Sequence, residues 1–242
     1  MNQASSNDWI VRLGVGVIAL DILLVGFGIL RFPSSLSASS NGWLVLAGDG
    51  VVLLACLAAT QWGLIRSFRD HPNEVRTALM ITAVAGFIFA AQFLLEYLGS
   101  LTSNQDGMLA NFTFGVLFLL FFSGGFWEGY RERSIRAGLR LGLWSGIFYS
   151  LVWVGLLWIS FHVFAGTVQE SRFFEIDQTL VDFQNSGMND LRAFVVQDYL
   201  GATFFHPLLG AASGCILGLA GGAFGKSLGT RWGRGQVSSD RK

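Results

Sequence analysis

Charge is scarce in this chain of 242 residues: Asp, Glu, Lys and Arg together make up 13% of it, while 52% is hydrophobic. A soluble domain carries about 25% charged residues and still exposes much of its surface to water. A soluble globule is therefore excluded, and the composition points to an integral membrane protein. Sixteen basic residues balance sixteen acidic ones, so bulk charge offers nucleic acid nothing to bind. The two cysteines, Cys56 and Cys215, both sit in apolar runs, which leaves neither a disulfide framework nor a CxxC metal or redox pair. The 31 glycines form no Walker sequence and no dinucleotide fingerprint. No catalytic motif marks the chain as an enzyme, and no cofactor signature is present.

What the sequence does have is length without charge. A spanning helix needs about 20 apolar residues, and windows 9–30, 43–65, 77–99, 110–130, 141–165 and 207–226 each meet that need. Lipid cannot satisfy backbone polar groups, and none of these runs alternates polar with apolar, so each is expected to be helical; a transmembrane barrel is excluded. The first run contains Asp21 and is followed by Arg31, Phe32 and Pro33. It reads as a retained helix and not as a cleaved signal. The expected fold is an all-α bundle of about six transmembrane helices, one domain over residues 1–230, with a flexible tail at 231–242.

Basic residues test that count, because they collect on the cytoplasmic side. Six spans put Arg12, Arg66, Arg69, Arg76, Arg131, Arg133, Arg136, Arg140, Lys226, Arg231, Arg234, Arg241 and Lys242 on one side, and only Arg31, Arg172 and Arg192 on the other. Both termini are thus expected in the cytoplasm, in what reads as a bacterial cytoplasmic membrane. Trp9, Trp62, Trp127 and Trp144 would lie near the inner helix ends, with Trp43 and Trp158 near the outer ones, as an aromatic belt. The longest connection, 166–206, falls outside. Its Thr167 and Glu170 fit a capping box, Phe173, Ile176, Leu180 and Phe183 follow at helical spacing, and Leu191, Phe194, Val195 and Tyr199 begin a second amphipathic stretch before the chain re-enters. The last span starts either at Leu200, where Pro207 would kink it and draw His206 into the membrane, or at Pro207, a favourable first-turn residue; the second is the expectation, leaving His206 at the interface.

Ionisable groups in hydrocarbon are costly unless paired, so each is a functional candidate. The candidates are Asp21, Asp49, Glu96, His162 and His206. At 1.5 Å per residue, Asp21 lies about 13 Å from the outer end of its helix, Asp49 about 9 Å, and Glu96 and His162 about 5 Å. All five share the outer half of the bilayer. Converging, they would form an ion- or proton-binding site; apart, each would be satisfied separately. His162 and His206 also admit an axial pair for a haem, or metal ligation with Asp49 or Glu96, although they lack ligand spacing along one helix. Glu128 is expected to pair with Arg131 three residues on.

The most specific pattern is Gly210, Gly214, Gly218 and Gly222, a row at four-residue spacing with Gly221 and Gly225 beside it. Such a row lets another helix approach closely. That helix belongs either to the same bundle or to a partner, meaning a second copy or another membrane protein. Besides the lipid bilayer, these are the partners the sequence allows. Two function classes follow: a small ion- or proton-coupled transporter, or a non-catalytic subunit or scaffold that assembles through the ladder. A haem- or metal-binding protein is a remote third.

Overall fold

The computed structural model describes residues 4–37, 42–99 and 101–239, with backbone alone for 4–10, 64–65, 68–69 and 231–239. The described chain is all helix, with no strand. In order come α1 (Ala4–Arg31), a single turn α2 (Ser34–Ser37), and α3 (Gly42–Ala58), continued by a π-helical turn (Ala59–Leu64) into α4 (Ile65–Asp70). Then follow α5 (Pro72–Leu98), α6 (Ser103–Glu132), α7 (Ile135–Phe164), α8 (Val168–Ile176), α9 (Thr179–Ser186) and α10 (Leu191–Ser239). Six stretches are long and apolar enough to cross a membrane: Val11–Arg31, Gly42–Gly63, Pro72–Leu98, Ser103–Glu132, Ile135–Phe164 and Leu191–Thr230.

Local chemistry sets the ends. Pro72 opens α5, where its missing N–H costs nothing. At α6 the Thr102 hydroxyl accepts from the Gln105 N–H, and the Gln105 side chain accepts from the Thr102 N–H at 2.9 Å, a full capping box. Arg133, at φ 49°, ends α6 in the left-handed region, and α7 starts two residues later.

Four expectations from the sequence are corrected by the structure. The last span does not begin at Pro207: α10 runs unbroken from Leu191 with Pro207 inside it, because the apolar face of Leu191, Val195 and Tyr199 continues the helix outward beyond the proline. The 166–190 segment is two helices, not one, since Gln178 takes φ 60° between α8 and α9. Thr167 does cap α8, accepting from the Glu170 N–H at 3.2 Å, but the Glu170 carboxylate goes to the Gly166 N–H at 2.7 Å and to Arg192 at 2.8 Å. The tryptophans divide. Trp43, Trp62 and Trp127 are exposed as a belt needs, whereas Trp158 and Trp144 are buried and donate to Thr203 and Ser67. The side chain of Trp9 and those of the expected tail 231–242 lie outside the described residues.

The core forms around α7. Half of its most apolar window is buried, against 28–39% for the other five spans. Lipid removes the hydrophobic drive between helices, so close fit must hold them. Gly138, Gly142 and Gly146 of α7 repeat every four residues and face the α10 row antiparallel: a Cβ on Gly142 would strike the Gly214 carbonyl, and one on Gly146 the Gly210 carbonyl. On its other flank α10 meets α6, where Gly125 and Gly129 face Gly218 and Gly222. The ladder is thus covered within the chain.

Charge closes this end of the bundle. Arg140 holds Glu74 through two bonds, at 2.6 and 2.7 Å, tying α7 to α5. Glu128, wholly buried, meets Arg131 at 2.8 Å and accepts from Thr77 at 3.0 Å. At the opposite end Tyr97 is stacked between Phe164 and Phe173, with ring centroids 4.5 and 4.4 Å away. That stack fastens α8 over α5 and α7, and the Glu170–Arg192 pair fastens it to α10.

Gly142→Ala is expected to destabilise the bundle by about 1–3 kcal/mol through overpacking, read by unfolding in detergent. Gly115→Ala, whose added methyl has nothing within 4 Å, is the control. It should be neutral or slightly stabilising, because alanine is the better helix former. Equal losses from both would contradict the close contact.

Candidate functional site

Toward the capped end the α7 and α10 residues that face each other change from glycine to Trp153, Leu157, Phe205 and His206, and the helices enclose a cavity of about 730 Å³. One face of α5 supplies Phe89, Gln92, Phe93 and Glu96, the i, i+3, i+4, i+7 set of a helix stripe. From α6 come Asp106, Ala110 and Phe114, and from α10 Gln197, Asp198, Tyr199 and His206, under a roof of Phe173, Asp177 and Met188. Four lining residues are carboxylic acids, Glu96, Asp106, Asp177 and Asp198, and among the described residues no lysine or arginine lines the space.

These groups are held by local contacts. Gln92 Nε2 donates to Glu96 Oε1 at 2.6 Å, one helical turn away. Across the α5–α6 interface Glu96 and Asp106 come within hydrogen-bonding range of each other. His206 Nδ1 donates to the Ala202 carbonyl at 3.0 Å, and its ring lies parallel to Trp153 at 3.6 Å between centroids. Asp177 opens into the cavity and accepts from the Thr179 hydroxyl at 3.2 Å. Withdrawal from bulk water, then the charges of Asp106, Asp198 and Asp182, push its pKa from 3.8 up to about 6, against the opposing pull of Thr179.

Of the five residues singled out in the sequence, Glu96 and His206 line this cavity and Asp21, Asp49 and His162 do not. His206, expected at the interface, stands within α10 because the helix starts at Leu191 and not at the proline. Asp21 faces Gly155 of α7 and is wholly buried. Asp49, on α3, is equally buried, and neither carboxyl has a hydrogen-bond partner among the described residues. His162 Nε2 donates to the Leu24 carbonyl at 3.1 Å, with its ring against Phe27 and Trp158. The two histidines therefore face different surroundings, contrary to a shared haem. Among the described residues no three His, Cys, Asp or Glu side chains group as a metal site requires.

No protein-family model, curated protein or solved structure matches the chain.

Sequence reasoning missed Gln92, Asp106, Trp153, Asp177 and Asp198. Asp106 lies just before the apolar window of its helix, and Asp177 and Asp198 pass for the solvated acids of a loop. A usable signal existed: the acids of 166–206 and Asp106 fall on the same side of the bilayer as Glu96.

Asp177 supplies a pH test. Its folded pKa is raised, so its contribution to stability is full below the unfolded value near 3.8 and is lost as pH rises through about 6. Melting temperature should therefore fall less between pH 5 and pH 7 in Asp177→Asn than in wild type. Parallel melting curves would show that neither its withdrawal from water nor the acids around it raise its pKa.

Proposed function

We propose that the protein is a small multi-pass permease that admits a cationic solute at the capped vestibule and couples its passage to proton or cation exchange at Asp21 and Asp49. The observation that carries this reading is the vestibule itself, lined by four carboxylic acids and, among the described residues, by no lysine or arginine. A cleft with one sign of charge and low-dielectric walls concentrates ions of the opposite sign. Asp49 supports the second half of the reading, since it follows Val45 of the cavity wall by one helical turn. Asp21 faces Gly155, which lies about 200° around α7 from the cavity-lining Trp153 and so on the side of that helix away from the cavity. Buried acids without hydrogen-bond partners among the described residues, one of them a helical turn from the cavity wall, are what a proton-coupled pathway needs.

An outward-facing vestibule is the orientation that fits. Arg131, Arg136 and Arg140 lie at the other end of the bundle from α8 and α9, and basic residues favour the cytoplasmic side. The alternative of a scaffold assembling through the α10 ladder is weakened, because Gly210, Gly214, Gly218 and Gly222 already face α7.

Purified protein in proteoliposomes tests the proposal by cation uptake and dissipation of a pH gradient. Wild type is expected to carry flux, and Asp21→Asn and Asp49→Asn to lose it while melting within a few degrees of wild type. Undiminished flux in both variants, or none in wild type, would overturn the coupling role.

A further inference from the structure

We propose that the cavity recognises an ammonium group that carries N–H donors, a primary or secondary amine, with Glu96 and Gln92 as its buried end. This rests on the vestibule being a solute site and names the chemistry of the solute. Gln92 is 8% exposed and Glu96 6%. The Gln92 amide spends its nitrogen on Glu96, and its carbonyl oxygen is left buried with no partner. An unpaired buried acceptor is costly, and a bound donor removes the cost.

The remaining groups narrow the ligand further. Asp106, Asp177 and Asp198 are acceptors when ionised, so an anion is repelled and an apolar solute leaves them unpaired. Phe93 and Trp153 present aromatic surface in the same wall, which attracts an organic cation and its alkyl stem. A bare metal ion would need several oxygens at about 2.0–2.6 Å, and no such group of side chains exists among the described residues. A quaternary ammonium satisfies the aromatic faces but has no hydrogen to give Gln92. An N–H-bearing ammonium meets both demands, whether it belongs to a free amine or to an ethanolamine lipid headgroup reaching the mouth.

Isothermal titration of the full chain in detergent with n-butylamine, putrescine and choline reads this directly. Native mass spectrometry after exposure to phosphatidylethanolamine or phosphatidylcholine reads the lipid source. The amines, or phosphatidylethanolamine over phosphatidylcholine, should bind at least about tenfold more tightly than the quaternary counterpart, the value of one hydrogen bond to a charged group. Gln92→Leu should erase that preference, and Glu96→Gln should weaken all the cations. Preference for the amines identifies a free solute, and preference for the lipid alone identifies a headgroup; either supports the proposal. Equal binding of quaternary and N–H-bearing ligands, or no binding of any of them, would overturn it. Amine binding without flux in proteoliposomes would remove the permease reading and leave this assignment standing, whereas flux of another solute without amine binding would do the reverse.

Discussion

Everything in this bundle depends on how closely α7 approaches α10. In lipid the apolar side chains of a helix gain nothing by leaving hydrocarbon for a neighbouring helix, so packing geometry has to supply the association. Here glycine faces glycine across the interface, Gly142 on Gly214 and Gly146 on Gly210, and α6 joins the same contact through Gly125 and Gly129. No side chain stands between the backbones. Three helices are thereby locked at one end, while α1 and α5 lean on α7 through Asp21 opposite Gly155 and through the Arg140–Glu74 pair.

The same interface explains the cavity. Beyond Gly146 and Gly210 the facing residues become large, Trp153 and Leu157 on α7 and Phe205 and His206 on α10. Helices pinned together at their glycines and spread by aromatic rings must leave space at the wide end. Phe173, which borders it, is held in the stack with Tyr97 and Phe164, and the part-buried Glu170–Arg192 pair fixes α8 to α10. The acids around this cavity have no lysine or arginine in the wall with them among the described residues. Their mutual repulsion is tolerated because the packing energy lies elsewhere, in the glycine end.

Much of the architecture was readable before folding is considered. Long uncharged runs can only be helices in a bilayer, and the four-residue row of glycines can only be a close-contact face. Helix length was less legible at Pro207, because proline is equally acceptable at a first turn and inside a membrane helix whose neighbours absorb the lost bond. Trp158 was legible as an aromatic near a helix end, but its burial against Thr203 depends on where α10 lies. Candidate site residues were only half legible. Rarity of charge pointed to Glu96 and His206, and it pointed equally to Asp21, Asp49 and His162, which face other neighbours.

The sequence by itself determined the solvent, the number of spanning helices and the face on which the last one packs, because each follows from composition and period along one segment. Tertiary structure alone decided which polar groups meet. Rotation of each helix about its axis is set by contacts with its neighbours, and a rotation of one residue, about 100°, turns a cavity-lining acid toward lipid or another helix. Asp106, Asp177 and Asp198 come from three separate segments and line one cavity with Glu96 only because the glycine contacts orient α6 and α10 against α7 and because Gln178 turns the chain between α8 and α9.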